Sequence, residues 1–245
     1  MQQHRVVSQD EWLVARRQLL MKEKELTRLR DQLSAERRAL PWVRITKPYV
    51  FETADGPRTL GELFRGRSQL VVKHFMMGPD WDQGCVGCSF FSDNIEGALL
   101  HLAHHDVSYV AVSRAPLEKI LAFKRRMGWG FAWVSSFGSD FNYDFHVSFT
   151  PEELARGEVL YNYTVQRMNI EEMTGLSVFY RDADGDIFHT YSQYARAGDI
   201  FLAAYHFLDI TPNGRNETIN GNLTDWVRHH DRYGEEPGAC AHGKA

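Results

Sequence analysis

Long hydrophobic runs are missing from this 245-residue chain. No stretch approaches the roughly 18 apolar residues a membrane span requires, so no membrane partner is expected. Residues 1–8 lack the apolar centre of a secretory leader. A surplus of one charge is missing too. The 28 Lys and Arg stand against 32 Asp and Glu, a net charge of −4, which gives the body no electrostatic reason to hold nucleic acid. Cysteine is scarce: three residues, two of them in one CxxC. That count does not fit a secreted disulfide framework, and a cytoplasmic location is expected. No internal repeat or low-complexity tract occurs. Hydrophobic residues make up 43% of the chain and aromatic ones 13%, enough for the core of one sizeable domain with added arms.

The CxxC is Cys85-Val86-Gly87-Cys88. It follows an apolar strand-like run, 69–77, and the turn-forming stretch Gly78-Pro79-Asp80. A helix-compatible run beginning near Ser89 comes next, through Ile95, Ala98, Leu99 and Leu102. Strand, turn, then CxxC opening a helix is a setting for a redox pair. Free N–H groups and the positive dipole end of the helix favour a thiolate at Cys85. Cys88, one turn on, can resolve a mixed disulfide formed there. The alternatives are a metal knuckle or two inert thiols.

Elsewhere, Ser8-Gln9-Asp10-Glu11 forms a capping-box pattern for a long polar helix that Pro41 ends. Trp12, Leu19, Leu26 and Leu33 recur every seven residues, interrupted by Lys22 and Glu36. This arm either lies on its own subunit or pairs with a second copy in a homodimer. Past residue 41, a hairpin is expected over 49–57 and a short helix over 59–64 with Thr59 as cap. A strand over 107–113, a helix over 116–127 and a strand over 131–135 follow. An Asp-Gly hairpin over 176–190 and a helix over 199–208 close the body. The pattern is an α/β fold with a mixed sheet flanked by helices. Three regions result: a helical arm at 1–41, the domain at 42–212 and a polar, loose tail at 213–245.

The order of these elements resembles the thioredoxin superfamily, and within it the peroxiredoxin-like branch, where a hairpin and helix precede the CxxC strand. Longer segments are similar to one bacterial family, the domain of unknown function 899, whose members are often labelled predicted dithiol-disulfide oxidoreductases. They are Trp81 with Gly84-Cys85 and Cys88-Ser89-Phe90, 113–120, 126–129, 133–145, 189–192 and 208–215. The resemblance covers about residues 8–218. The label says little about substrate; the dithiol reading itself carries the expectation of a thiol or disulfide substrate and no cofactor. Two departures matter. Thioredoxins place a proline before the strand facing the active site, where this chain has Met173-Thr174-Gly175. Their CxxC also holds Gly-Pro, where this one holds Val86-Gly87. A role as a general protein-disulfide reductase is therefore not expected.

Candidate substrate contacts are Trp81, Thr174 and Tyr143. Trp81 is either a wall of the site or a packing residue. Tyr143 lies in the aromatic block 139–145, which either lines a pocket or packs in the core. Asp80 and Asp82 are exposed turn formers. The competing chemistry is a soft-metal site for copper or zinc on Cys85 and Cys88, with Cys240 and His242 as further ligands. A third reading is an enzyme for a specific small molecule bound at the aromatic block. Of the 11 histidines, His101, His104 and His105 share a helix at metal-pair spacing but read as a solvated helix end. Asp209 and Arg215 form a structural ion pair.

Overall fold

A computed structural model describes residues 4–217 and 226–234. The chain divides into two compact units, Met1–Trp42 and Val43–Ala245. The first is built on α1 (Gln9–Arg38). Ser8 and Glu11 close its capping box: Ser8 Oγ accepts from the Glu11 N–H, and the Glu11 carboxylate accepts from the Ser8 N–H at 3.0 Å. Acidic side chains at its start and Arg37 and Arg38 at its end complement the helix dipole.

The second unit opens with β1 (Val43–Arg44), β2 (Val50–Phe51), β3 (Arg58–Thr59) and α2 (Leu60–Leu63). β2 and β3 are the expected hairpin, and Thr59 caps α2 through a capping box with Glu62. Next come β4 (Gln69–His74), α3 (Val86–Asp93), α4 (Leu99–His104), β5 (Val107–Ser113), α5 (Leu117–Arg126) and β6 (Ala132–Ser135). The final set is α6 (Phe141–Asp144), α7 (Pro151–Arg156), β7 (Glu158–Tyr161), β8 (Thr164–Arg167), β9 (Gly175–Arg181), β10 (Ile187–Tyr194) and α8 (Ala203–Asp209).

Six strands form one mixed sheet in the order β1-β10-β9-β4-β5-β6. β4, β5 and β6 are parallel, as helical crossovers require, while β9 runs antiparallel to both β4 and β10. Strand alternation sorts the core onto two faces. Val72, Val110, Val112, Phe141 and Phe179 pack on one face with α2 and α6. Phe75, Tyr109, Ala111, Ile120 and Phe123 pack on the other with Cys88 of α3. Each fully buried large side chain contributes about 1.5–3 kcal/mol.

Several boundaries differ from the sequence reading. α3 begins at Val86 rather than near Ser89, and the helical run beyond it breaks at Asn94 before a 3-10 turn and α4. β4 stops at His74; Phe75 continues extended, and its N–H still reaches Val112 O at 2.9 Å. Pro116 precedes α5 instead of opening it. The last body helix splits into a 3-10 segment, Ala195–Phe201, and α8. The β7–β8 hairpin carries no glycine signal in the sequence, because its turn residues Asn162 and Tyr163 both take positive φ (50° and 64°) without glycine. The tail also differs. Residues 226–234 are not loose: Val227 is buried against Phe90 and Phe91, and Arg126 pairs with Asp231 at 2.8 Å.

Candidate active site

The turn from β4 to α3 delivers both thiols. Cys85 is the N-cap residue of α3, half-buried, and Cys88 lies in its first turn, 2% exposed. The Cys85 N–H is tied to Met76 O at 3.0 Å, which fixes the end of the loop against the strand. Gly84 is required just before it. A Cβ there would lie 2.6 Å from Phe75 Cε1 and 2.8 Å from Phe123 Cε1, both in buried rings. His229, from the returned tail, shares a hydrogen bond with Gly84 O at 3.0 Å.

Both thiols are free. As the N-cap residue, Cys85 lies at the positive end of the α3 dipole, although its side chain accepts no cap hydrogen bond. That dipole is outweighed there: the Cys88 side chain beside it, then burial, then the Cys88 charge hold the Cys85 thiol above its ordinary value. Cys88 goes the other way. Burial disfavours its thiolate, but the Cys85 thiol, the Lys73 ammonium, Thr174 and the Met76 N–H together hold it below the ordinary thiol range. The Met76 N–H donates to Cys88 Sγ at 3.4 Å. The charge of the reduced pair thus rests one turn inward of where the dipole alone puts it.

Thr174 turns its hydroxyl inward. Oγ1 lies 3.5 Å from Cys88 Sγ and 3.3 Å from the His74 carbonyl, and it accepts a hydrogen bond from Lys73 Nζ. Trp81 is half-buried and packs against the same apolar cluster as Cys85. Its Nε1 donates to Glu171 Oε1 at 3.0 Å. Tyr143 is reached through a relay of charge rather than by direct approach to the thiols. The other Glu171 oxygen is 3.5 Å from Arg114, whose guanidinium stacks over the Tyr143 ring at 4.8 Å and donates to its hydroxyl. Arg114 and Tyr143 line a cavity of about 220 Å³ with Pro79, Phe137, Ser139 and Asp140. The aromatic block therefore does both jobs weighed for it: Tyr143 borders the cavity, while Phe141 and Phe145 are core residues stacked on His74.

Among the residues that composition and motifs did not single out, Lys73 and Glu172 stand out. Both are charged and buried. Arg114 Nε donates to Glu172 Oε1 at 2.6 Å and Ser148 to Oε2 at 2.7 Å. Burial nevertheless pushes the Glu172 carboxyl up to about 7 against the pull of Arg114 and Ser148. A hydrogen-bonded chain, His74–Ser177–Ser192–His189, crosses β4, β9 and β10 with contacts of 2.8, 2.8 and 2.7 Å. Burial holds the His74 imidazole neutral, down to about 3. The available signal was a Lys-His pair inside an otherwise apolar strand run.

Other candidates stay apart. Asp82 is nearly fully exposed, 3.9 Å from Lys119, and Asp80 is exposed. His101, His104 and His105 are exposed around the end of α4. Asp209 and Arg215 form the expected ion pair, bidentate at 2.7 and 2.8 Å. Cys240 and His242 lie outside the described residues. Among the described residues no group of three His, Cys, Asp or Glu is placed to hold a metal ion. Cys85 and Cys88 are two donors of the four a closed zinc site takes.

Central β4 and β5 parallel, β9 antiparallel between β4 and β10, a hairpin and helix ahead of β4 and a dithiol at the start of α3 make a mixed sheet flanked by helices in the thioredoxin-like arrangement. The chain belongs to the family described as bacterial protein of unknown function 899, whose model matches residues 1–233. Among curated proteins none matches. Similar solved structures include peroxidoxin BcpB from Mycobacterium tuberculosis, 14% identical, with a TM-score of 0.45, covering 67% of this chain and 94% of that one. Peroxiredoxin Q from Xanthomonas campestris is 15% identical, with a TM-score of 0.42 and coverage of 64% and 90%. PrxQ from Xylella fastidiosa is 11% identical, with a TM-score of 0.40 and coverage of 66% and 89%. No helix among the described residues is long and apolar enough to cross a membrane.

Proposed function

We propose that the protein is a dithiol-disulfide oxidoreductase in which Cys85 attacks and Cys88 resolves. The observation that carries this reading is the pair itself: a half-buried Cys85 at the start of α3 with the buried Cys88 one turn further in, the latter's thiol held below its ordinary value. Cys85 sulfur attacks one sulfur of a substrate disulfide as its proton passes to the Cys88 thiolate. The substrate's first thiol leaves as thiolate and takes up a proton. Cys88, deprotonated again, then attacks Cys85, closing the Cys85–Cys88 bond and releasing the second thiol. Two electrons pass to the substrate; one proton comes from Cys85 and one from solvent. A peroxide is an equivalent two-electron acceptor, its oxygens leaving as water or alcohol. Trp81, Thr174 and Tyr143 are proposed substrate contacts, Thr174 through its backbone since its hydroxyl is committed inward. The substrate is a small disulfide or peroxide rather than an extended protein backbone, because residues 173–175 lack the proline that shapes such a groove in thioredoxins.

The test is intact-mass analysis of the purified, reduced protein after exposure to peroxide or glutathione disulfide. Loss of two hydrogens, reversed by dithiothreitol, is expected. Cys88→Ser should stop at a sulfenic acid or mixed disulfide on Cys85. A Cys88→Ser variant that turns over oxidant like the wild type would overturn the assignment of Cys88 as resolving thiol. Thioredoxin-like rates of insulin reduction would overturn the small-substrate reading.

A further inference from the structure

Lys73 is a charged side chain with 4% exposure in the central strand of the sheet. Strand alternation puts it on the face covered by α3, opposite the His74 face. Its ammonium sits 4.5 Å from the Phe91 ring centroid and donates to Thr174 Oγ1. Among the described residues no carboxylate lies within 4.0 Å of it to form an ion pair. A buried cation without an anion is among the costliest arrangements a core can hold. The group that can supply the anion is on the next helix: Cys88 Sγ, joined to Lys73 through the Thr174 hydroxyl.

We infer that Lys73 is a positioning residue for the thiol pair, its ammonium steered by Thr174 to act as resident counter-ion of a Cys88 thiolate, a counter-ion relation that is lost when the Cys85–Cys88 disulfide closes. The inference rests on the proposed redox use of the pair only in its second half; the charge pairing in the reduced protein is independent of it. Thr174 is built for both states. It has one hydroxyl proton and two acceptors within reach, Cys88 sulfur at 3.5 Å and the His74 carbonyl at 3.3 Å. With a thiolate at Cys88 the proton points to sulfur; with a disulfide it turns to His74.

The other titratable groups around Cys88 do not replace Lys73. From α3 there is Cys85, whose thiol is held protonated beside the Cys88 charge and so supplies no cation. From β5 comes Tyr109, buried, its hydroxyl without a hydrogen-bond partner among the described residues, its proton held more tightly by burial and by the Cys88 charge. From β7 comes Tyr161, whose hydroxyl donates to Thr174 O at 2.8 Å, and which burial likewise holds protonated. His74, across the strand, stays neutral, first through burial and then through the Lys73 charge. Lys73 is therefore the cation of this neighbourhood.

On closure, the reduced pair gives two electrons to a disulfide acceptor. The Cys85 proton and one solvent proton leave with the released thiols, and the sulfur anion disappears. The ammonium is left buried without its anion, so the disulfide form is disfavoured and is easily reduced. Removing Lys73 should make the pair more reducing.

The experiment uses the full chain: wild type, Lys73→Met, Lys73→Arg, Thr174→Val, Cys85→Ser and Cys88→Ser. The first readout is the ultraviolet absorbance of the thiolate across pH. Wild type and Cys85→Ser should ionise below the ordinary thiol range, and Cys88→Ser should not. Lys73→Met should raise the midpoint by about one pH unit or more, with Lys73→Arg restoring most of it and Thr174→Val raising it less. The second readout is equilibration with reduced and oxidised glutathione. Lys73→Met should favour the disulfide by about tenfold, some 30 mV more reducing. An unchanged midpoint in Lys73→Met, or an acidic thiolate that survives Cys88→Ser and vanishes in Cys85→Ser, overturns the inference. If Lys73→Met does not fold, an unchanged midpoint in Thr174→Val overturns it in the same way. A pair that titrates as described but exchanges with no disulfide or peroxide leaves the counter-ion standing and removes the proposed function.

Discussion

Replacing Arg114 with Met isolates the Glu172 carboxylate in the core, and the cost should depend on pH. Glu172 is 1% exposed and Arg114 meets it at 2.5 and 2.6 Å. Removing one partner of such a buried pair costs about 3–5 kcal/mol because the other is left desolvated and uncompensated. Glu172 already sits at about 7 in the native protein, against an ordinary value of 4.5. Without the guanidinium it climbs further. Between the unfolded and native values the folded chain holds a proton that the unfolded chain has released, so stability falls as pH rises through that window. Each additional unit of upward shift costs about 1.4 kcal/mol above it. Below about pH 4.5 both states are protonated, and only packing and neutral hydrogen bonds are lost, about 1–2 kcal/mol. Urea unfolding of wild type, Arg114→Met, Glu172→Gln and the double variant at an acidic and a mildly alkaline pH reads this directly. The single Arg114 variant should lose most at the alkaline pH, and the double variant should recover about 1–3 kcal/mol relative to the sum of the singles. Equal losses at both pH values, or strict additivity, would refute the account of a buried pair held by mutual compensation.

His74 supplies an acid-limb prediction. Its imidazole is held down to about 3 by burial against 6.5 in the unfolded chain, so its contribution is present above about pH 6.5 and is lost as pH falls toward 3. His74→Gln, which can keep the Ser177 hydrogen bond without titrating, should flatten the acid dependence of unfolding by about one proton, up to 1.4 kcal/mol per pH unit; an unchanged slope would count against it. The seven-residue recurrence of Trp12, Leu19, Leu26 and Leu33 on α1 leaves two arrangements, docking on its own subunit or pairing with a second copy, and we propose the pairing as the one to test. Sedimentation of the full chain should therefore show a dimer and of a chain lacking residues 1–42 a monomer, and the same species for both would reject the pairing.

Much of this molecule was legible in one dimension because the relevant physics is local. Ser8 and Glu11, or Thr59 and Glu62, state helix starts within four residues, since a cap hydrogen bond spans only that distance. A CxxC after an apolar strand and a glycine-rich turn places two thiols one helical turn apart whatever the rest of the chain does. The existence of β4, β5 and β6 follows the same logic, since short apolar runs alternating with helical ones mark the buried strands of a layered α/β sheet. What sequence could not determine is which thiol carries the charge. The helix start argues for Cys85, which is the N-cap residue of α3. The outcome turned on Lys73 and Thr174, which are 101 residues apart and meet only because β9 pairs with β4. Glu172 and Arg114, 58 residues apart, are another such pair, and residues 226–234 reach Gly84 from 145 positions away. Electrostatic energies depend on distance in space and on the water excluded between groups. Spacing along the chain encodes neither, so the thiols could be read from the sequence while the placement of their charge was decided by the sheet.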